Sequence, residues 1–485
     1  MSLAERSVTS VAWNTGTNLV KVAILLGRSI ILARLLPVEV FGVYTLATSI
    51  VTFSGIIPTF GMGSAFIHRV PETADEEQAA AVQFTLRLLL SAVWAAAMVL
   101  LAWWLAEGAM RLALIVLTPA YAVLYLTDTP KYILTRRIQH RRLAVLDLLV
   151  AILTTVVAIG LAWRGYGLIT LLATDIVTVT VTAIALYGWR RVWRPRLLWL
   201  PGTVRYYLTF GSRAMAGTAL GEALDNVDDI WVGANLGNYA LGLYSRAYAF
   251  ATYPRRVLAF PVNLVAGGTL AELKEDRLRM SQAFFRTNSL LIHSGFLMGG
   301  LLVLVAEEFV AIALGDKWLP MVTTFQLMAV FTLLDPLRVT VSQLFYAVGQ
   351  PARVVRVRTV QLIALVSGLY LVWQNWGIVG VAIIVDIVLL IGLIPLLIMA
   401  REIVDFSFRR LFVAPVIALI AGASVAMLGL RSICGYIDCS NDWYTGIIKG
   451  TLFVLIYGAT LFILERQEIL TMTDHIRRAL RKTDQ

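Results

Sequence analysis

Four carboxylates stand out because they occur inside a stretch that is otherwise apolar enough to cross a membrane. Residues 210–254 read as a membrane helix, a glycine-rich turn and a second membrane helix. The first of these helices carries Glu222, Asp225, Asp228 and Asp229. Carboxylates within a membrane span are energetically costly, and they usually mark a polar pathway or a binding site.

The first apolar stretch of the chain carries the opposite charge. Asn14, Asn18, Lys21 and Arg28 follow one another at spacings of four, three and seven residues. In a helix of about 3.6 residues per turn, these spacings place all four side chains on one stripe. Cations on such a stripe suit an anionic ligand.

The composition indicates that both stretches lie in a membrane. The chain has 485 residues, of which 59% are hydrophobic and 15% charged, and its mean hydropathy is +0.78. Apolar runs of about 20 residues recur from end to end, and each can cross a hydrocarbon core of about 30 Å. The sequence therefore predicts an all-α polytopic membrane protein of about 14 transmembrane helices, with no loop long enough to build a soluble domain.

Loop charge predicts the orientation of these helices. Every second connection is basic, for example 131–142, 190–205 and 353–358, whereas the alternate loops carry few cations. Positive charge favours the cytoplasmic side, so both termini are expected in the cytoplasm. The net charge of +11 therefore reflects topology. No basic region is attached to a soluble domain, and we expect no nucleic-acid partner.

Two cysteines, Cys434 and Cys439, lie in the last predicted external loop. An oxidising compartment would permit a disulfide between them. The four-residue gap closes only if the loop folds back, so we treat the pair as a candidate disulfide.

An internal repeat relates two halves of the chain. At an offset of 200 residues, Phe41–Tyr44 (FGVY) aligns with Leu241–Tyr244 (LGLY), and at a slightly larger offset Asp128–Lys131 resembles Asp335–Arg338. We predict two six-helix bundles related by a pseudo-twofold axis along the membrane normal, an arrangement that suits alternating access. The predicted parts are the bundles 1–200 and 201–405, two further helices in 406–465 and a basic cytoplasmic tail in 466–485.

The repeat offset superposes the cationic stripe on the acidic one. Lys21 falls on Gly221 and Arg28 falls on Asp228, with Asp225 on the same stripe. We expect the two helices to face each other, so that Lys21 and Arg28 meet Asp225 and Asp228 across a shared cavity. Three interpretations stay open: ion pairs that hold the halves together, a cavity that holds an anionic substrate and a coupling Na⁺ or H⁺, or gates that open when substrate binds.

Further charges extend both candidate sets. Arg246 and the doublet Arg255–Arg256, which follows Pro254, lie in the eighth predicted span, and guanidinium groups bind phosphate with two parallel hydrogen bonds. Snorkelling to lipid headgroups is an equal alternative for the doublet. Asp335 and Arg338 form an i,i+3 pair beside Pro336. The substrate-binding candidates are therefore Asn18, Lys21, Arg28, Arg246, Arg255 and Arg256, and the coupling or gating candidates are Asp225, Asp228, Asp335 and Arg338.

Several segments together resemble one known family. They are Asn226-Val227-Asp228, Gly233, Leu236-Gly237 and Leu241–Tyr244; the opening RSIILARLLPVEVFGVYTLA; and the loop LTRRIQHRRLAVLD. Over nearly its whole length the chain is similar to the Wzx-type polysaccharide and O-antigen flippases of the multidrug/oligosaccharidyl-lipid/polysaccharide (MOP) exporter superfamily. Asp229 beside Asp228 and the doublet Arg255–Arg256 depart from the family pattern.

The resemblance implies a transport function. A protein of this kind would move undecaprenyl-diphosphate-linked oligosaccharide from the cytoplasmic to the periplasmic leaflet, for exopolysaccharide or O-antigen biosynthesis. It would use no cofactor other than a coupling Na⁺ or H⁺. Its expected partners are this lipid-linked substrate, membrane lipids, a polysaccharide polymerase and chain-length regulator proteins.

Two alternatives stay open, one from the same superfamily and one from a different functional class. A cation-coupled drug exporter of the same superfamily would favour an acidic and aromatic cavity over the cationic one expected here. A membrane-embedded sugar polymerase or glycosyltransferase would need larger external loops with catalytic acids or bases. The sequence contains no metal-binding constellation, nucleophile motif or phosphate-cradling loop, so we expect a protein that is not an enzyme.

Overall fold

The apolar runs form helices, because a helix satisfies its backbone hydrogen bonds within its own segment where water is absent. The computed structural model describes residues 3–68, 75–137, 139–189, 191–372, 376–434 and 442–466. Within these ranges the regular structure is helical and no strand occurs, which confirms the predicted all-α class.

The helices follow the chain in a simple order. The first group is α1 (Leu3–Leu35), α2 (Val38–Ser54), α3 (Ile56–Thr59), α4 (Met62–His68), α5 (Glu76–Leu105), α6 (Gly108–Leu126), α7 (Asp128–Arg136), α8 (His140–Trp163), α9 (Leu168–Ala183) and a π-helical turn, Ile184–Gly188. The second group is α10 (Pro201–Asn235), α11 (Gly237–Ala251), a π-helical turn (Arg255–Ala259), α12 (Phe260–Glu272), α13 (Arg277–Leu304), α14 (Ala306–Phe309), a π-helical turn (Val310–Leu314) and a 3₁₀ segment, Asp316–Met321. The last group is α15 (Val322–Ala347), α16 (Pro351–Val372), α17 (Gly377–Ala400), α18 (Phe408–Cys434) and α19 (Asp442–Leu464).

Eleven helical segments of the described chain are long and apolar enough to cross a membrane. The other three predicted spans correspond to α1 and α10, which carry several charged side chains, and to the interrupted pair α11 and α12. The protein is therefore a multi-pass membrane protein, and the number of 14 spans stays a prediction. Large apolar side chains face outward on these helices, as at Trp104 of α5, which is 80% exposed. Such surfaces suit contact with lipid.

Two predicted spans are broken at recognisable positions. The second predicted span, near residues 38–67, divides into α2, α3 and α4. The chain turns at Phe60 and Gly61, where φ is 41° and 62°. The eighth divides at Pro254, as its missing N–H and fixed φ favour, and continues through a π-helical turn. Such turns inside helices are frequent at functional sites.

The chain separates into two compact units. The first unit comprises Met1–Arg246 and Arg358–Ile384. In it α1 packs along α8, α8 along α9, α5 along α6, and α10 packs on α2 and α4. Its buried apolar clusters include Phe66 with Tyr207, Trp94 with Leu117, and Leu134 with Leu186.

The second unit comprises Ala247–Val357 and Val385–Gln485. In it α13 packs against α15 and α18, α12 against α15, and α18 against α19. One apolar core connects these helices, with the rings of Phe284, Phe345 and Phe453 fully buried in it.

The FGVY and LGLY motifs of the repeat form a close crossing within the first unit. A Cβ atom on Gly42 would overlap the backbone carbonyl of Asn238, and one on Gly242 would overlap the backbone carbonyl of Val38. The offset of 200 residues that aligns the motifs therefore also relates these two contacts. Only glycine permits both approaches, which explains its presence in both copies of the motif.

Candidate functional site

The cationic stripe of α1 lies against α8. The Lys21 Nζ atom is 2.7 Å from Asp147 Oδ2, and the Arg28 Nη1 group donates to Thr154 Oγ1 at 3.0 Å. Both helices advance by seven residues between the two contacts, as parallel helices in register require. The Lys21 side chain is 32% exposed and that of Asp147 59%, so this pair is accessible from outside the protein core.

A second carboxylate, Asp175 of α9, lies near the same stripe. The hydroxyl of Tyr44 on α2 donates to Asp175 Oδ2 at 2.8 Å. Arg28 is close enough to attract this carboxylate electrostatically, and Tyr121 of α6 also lies beside it. Helices α1, α2, α6 and α9 therefore share one polar group of side chains.

The polar face of α10 is matched by α2. The Ser49 hydroxyl donates to Asp229 Oδ2 at 3.1 Å, and the Thr52 hydroxyl donates to Asn226 Oδ1 at 3.0 Å. Positions rise by three on α2 and fall by three on α10, as antiparallel helices require. The Asn226 amide in turn donates to Glu222 Oε2 at 3.2 Å. These hydrogen bonds satisfy polar groups that would otherwise be costly to bury.

Asp228 lies on the side of α10 that faces α11. The Tyr244 hydroxyl donates to Asp228 Oδ2 at 2.6 Å, whereas Asp228 Oδ1 is buried and has no hydrogen-bond partner among the described residues. The guanidinium of Arg246, also on α11, lies 4.8 Å from the centre of the Phe41 ring and near Asp229. A cation over an aromatic face is favourable when both are shielded from water.

Within the ranges that the structure describes, Lys21 and Arg28 form no ion pair with Asp225 or Asp228, so the expected pairing is not formed. Lys21 and Arg28 contact Asp147 and Thr154, and Asp228 contacts Tyr244. The physical reason is helix packing: α1 lies along α8, while α10 lies along α2. Sequence symmetry aligned the two stripes, but the neighbours of each helix decide which side chains meet.

A separate charged cluster surrounds Asp335 in the second unit. Its fully buried carboxylate accepts hydrogen bonds from Arg255 and from Arg338, whose Nε lies 2.7 Å from Oδ1. The predicted i,i+3 pair Asp335–Arg338 is therefore present. Arg255 belongs to the π-helical turn after Pro254, so the break in this helix brings a predicted phosphate ligand onto a carboxylate.

The remaining predicted residues are placed as follows. Asn18 is half-buried on α1, and Arg256 is exposed with its guanidinium 5.4 Å from the Tyr253 ring centre. Cys434 is disulfide-bonded, and its predicted partner Cys439 lies outside the described residues. Among the side chains that the structure describes, no group of three or more His, Cys, Asp or Glu residues could hold a metal ion.

The sequence reasoning missed the partners of the charged residues. Asp147 and Thr154 repeat the seven-residue spacing of Lys21 and Arg28, and this shared spacing was the available signal. Ser49 and Thr52 similarly repeat the three-residue spacing of Asn226 and Asp229. The fully buried Arg87 of α5 donates to Asp128 Oδ2 at 2.9 Å, and no local pattern predicts that contact.

Comparison with known proteins agrees with this architecture. The family model described as "Polysaccharide biosynthesis protein" matches residues 31–323. The succinoglycan biosynthesis transport protein ExoT of Rhizobium meliloti is 28% identical over 293 residues, which cover 59% of this chain and 58% of ExoT. The lipopolysaccharide biosynthesis protein WzxC of Escherichia coli is 22% identical over 342 residues, which cover 69% of this chain and 68% of WzxC.

Solved structures share the fold. The lipid II flippase MurJ, in an inward closed conformation, superposes with a TM-score of 0.73 at 13% identity over 96% of this chain and 99% of MurJ. A multidrug resistance MATE family transporter of the MOP superfamily superposes with a TM-score of 0.62 at 13% identity, over 81% of this chain and 98% of the transporter. This chain therefore belongs to the polysaccharide biosynthesis protein family and has the fold of the MOP-superfamily transporters.

Proposed function

We propose that this protein is a flippase that moves undecaprenyl-diphosphate-linked oligosaccharide from the cytoplasmic to the periplasmic leaflet of a bacterial inner membrane. The movement would occur by alternating access and would serve exopolysaccharide or O-antigen biosynthesis. One observation carries the proposal: within the first unit, helices α1, α2, α8, α9 and α10 place charged and hydroxyl side chains against one another. Polar surface at membrane depth is what a polar headgroup needs in order to cross.

The physical requirement follows from the substrate class. A diphosphate bearing sugars cannot enter hydrocarbon alone, because its charges and hydroxyl groups would lose their hydration without replacement. The protein must therefore supply polar walls, while the prenyl chain stays in lipid at a lateral opening. The relatives named for succinoglycan transport and lipopolysaccharide biosynthesis, and the lipid II flippase fold, support this assignment.

Lys21 and Arg28 are the substrate-holding cations in this proposal. Lys21 is held by a carboxylate that is itself more than half exposed, so a diphosphate can compete with Asp147 for the ammonium group. Arg28 donates to a neutral hydroxyl and attracts the nearby Asp175 carboxylate, and its remaining N–H donors can bind an anion. Phosphate would form charge-assisted hydrogen bonds with both groups, which are stronger than bonds between neutral groups.

The carboxylates of α10 are the coupling or gating groups. Asp228 has one buried oxygen with no hydrogen-bond partner in the described part of the chain, and Asp229 is the next residue. Two neighbouring carboxylates repel each other when both are ionised, so binding a proton or Na⁺ there would relieve the repulsion. We propose that this binding resets the transporter between its two access states.

Reconstitution tests the substrate assignment. Purified protein in liposomes with a defined undecaprenyl-diphosphate oligosaccharide would be assayed for leaflet transfer under separate Na⁺ and H⁺ gradients. We expect Lys21→Ala combined with Arg28→Ala to lower transfer at least tenfold, which corresponds to about 1.4 kcal/mol of lost interaction energy. The control is Arg164→Ala, at the exposed end of α8, which should transfer substrate at the wild-type rate.

The same assay separates the two roles. Asp228→Asn should retain substrate binding but lose its response to the coupling gradient. Wild-type transfer by the Lys21→Ala, Arg28→Ala variant would contradict the substrate assignment. An unchanged gradient response in Asp228→Asn would contradict the coupling role alone.

A further inference from the structure

The connection between α9 and α10 is rich in arginine and tryptophan, and the proposed transport mechanism assigns these residues no role. Residues 189–200 read WRRVWRPRLLWL, in which arginines alternate with tryptophans and leucines. The loop-charge rule places this connection on the cytoplasmic side of the membrane. Arginine and tryptophan are the residues that favour the boundary between lipid headgroups and hydrocarbon.

This connection forms one wall of a cavity of about 340 Å³ in the first unit. Four arginines line the cavity together with one acidic and one aromatic residue: Arg137, Arg191, Arg194, Arg196, Glu77 and Trp193. At about 30 Å³ per water molecule, the cavity has space for a phosphate and the group esterified to it.

The walls of the cavity are fixed by packing and hydrogen bonds. Trp193 is buried, and its ring packs edge-on against Phe84 of α5 at a centroid distance of 5.7 Å. The Leu198 N–H donates to Thr85 Oγ1 at 2.9 Å, which ties the connection to the same helix. The arginines are therefore carried by a backbone that is already ordered.

The charges around the cavity do not balance. Arg137 donates to Glu76 at 2.9 and 2.6 Å, and Arg196 lies 3.9 Å from Glu77. Arg191 and Arg194 have no hydrogen bond or ion pair with any residue in the ranges that the structure describes. Guanidinium groups held together around one cavity repel each other, and a bound anion removes that repulsion.

Exposed aromatic side chains border the arginines. Trp189 and Trp199 are 71% and 54% exposed, and Leu197 is exposed between the cavity residues and α10. Indole rings at a protein surface favour the headgroup level of a bilayer. A soluble anion would gain nothing from these side chains, whereas a lipid would contact them beside its phosphate.

We propose that this cavity binds the phosphate group of an anionic membrane lipid. Arg191 and Arg194 hold the phosphate oxygens, Arg137 and Arg196 complete the basic wall, and Trp189 and Trp199 contact the acyl or prenyl region. The site is separate from the transport residues on α1 and α10. An anionic phospholipid and a prenyl diphosphate share the chemistry required, and binding measurements distinguish the two sources.

Native mass spectrometry of the full-length protein in detergent tests the proposal. The probes are phosphatidylglycerol, phosphatidylcholine, undecaprenyl diphosphate and inorganic diphosphate, each titrated separately. The test variant is Arg191→Gln with Arg194→Gln. The control variant is Arg409→Gln with Arg410→Gln, which removes two exposed arginines from the first turn of α18, on the same predicted side.

We expect at least one anionic lipid to bind the wild type, and the test variant to bind it at least tenfold more weakly than the control variant does. Preference for phosphatidylglycerol would identify a phospholipid site, and preference for undecaprenyl diphosphate would identify a substrate-capture site. Equal losses in both variants would overturn the proposal, because they would show attraction by overall charge. Binding of inorganic diphosphate without either lipid, or equal binding of phosphatidylcholine, would also overturn it.

Discussion

Each unit contains an aspartate that precedes a proline by one or two residues, but the charges of the two aspartates are neutralised in different ways. Asp128 begins α7, and it contacts Lys131 at 3.3 Å and Arg87 at 2.9 Å. Asp335 lies within α15, and it contacts Arg338 and Arg255. In the first unit the arginine is fully buried while the aspartate is 22% exposed, and in the second unit the aspartate is fully buried while Arg255 is 30% exposed.

The difference shows which part of a repeated motif is constrained by local geometry. The cation three residues after the aspartate is kept in both copies, because i,i+3 neighbours on a helix contact each other whatever packs around them. The second cation comes from a continuous helix in the first unit and from the turn after Pro254 in the second. Arg286 follows Arg87 by 199 residues, close to the offset of the repeat, but it is exposed and makes no ion pair within the described chain.

The largest expected effect comes from removing the carboxylate of the first cluster. Asp128→Asn leaves the charge of Arg87 buried without its partner, so we expect a loss of about 3–5 kcal/mol in the free energy of unfolding. Asp335→Asn leaves two cations that are partly exposed and can be hydrated, so its expected loss is about 1–3 kcal/mol. Unfolding of both variants in detergent, measured by intrinsic fluorescence, checks the order, and an equal or larger loss for Asp335→Asn would contradict it.

For the crossing at Gly42 and Gly242, the repeat predicts that the two glycine substitutions lower the free energy of unfolding equally. Gly42→Ala and Gly242→Ala each place a methyl group against a backbone carbonyl, so each should destabilise the protein by about 1–3 kcal/mol. Gly27→Ala is the matched control, because a Cβ there has no atom within 4 Å. The unfolding measurement used for the aspartates applies. If only one of the two glycine variants lost stability, the two contacts would not be energetically equivalent, which would contradict the prediction.

Measurements of transport should distinguish the role of Arg255 from that of Arg87. Arg255→Gln removes a predicted phosphate ligand, so we expect a transport rate about tenfold lower, equivalent to about 1.4 kcal/mol. Because Asp335 stays paired with Arg338, the unfolding temperature should be nearly unchanged. Arg87→Gln should instead lower the unfolding temperature. Leaflet transfer per folded molecule distinguishes the two effects. Full transport by Arg255→Gln would assign that arginine a structural role only.

The smallest effect is expected at an exposed pair, Arg277 with Asp405, whose Nη2 and Oδ1 atoms lie 2.9 Å apart. The hydrogen bond from Arg277 lowers the pKa of Asp405, so any stabilisation is present above the usual carboxyl pKa of about 4 and disappears as the pH falls through the folded value. Exposed pairs contribute little, and Asp405→Asn should leave the unfolding temperature at neutral pH unchanged. A measurable decrease would show that exposure is a poor guide to the value of ion pairs in this protein.

Local patterns predicted the helices and the single-helix contacts well. Apolar runs predicted the helices, eleven segments of which are long and apolar enough to cross a membrane, and the spacing of Asp335 and Arg338 predicted their pair. The break in the eighth predicted span lies at Pro254. Contacts between helices were harder to predict from the sequence, because they depend on which helices are neighbours. Lys21 contacts Asp147 and not Asp225, because α1 packs along α8. Nothing in the sequence of α1 specifies that neighbour.

The paired contacts of α1 with α8 have a consequence for natural variation. Lys21 and Arg28 contact Asp147 and Thr154 only while the two positions stay seven residues apart on both helices. Inserting or deleting one residue in either interval would turn the following side chains by about 100° and carry them away from the partner helix. Natural variants of this chain should therefore tolerate length changes in the connections between helices, while residues 22–27 and 148–153 keep a constant length.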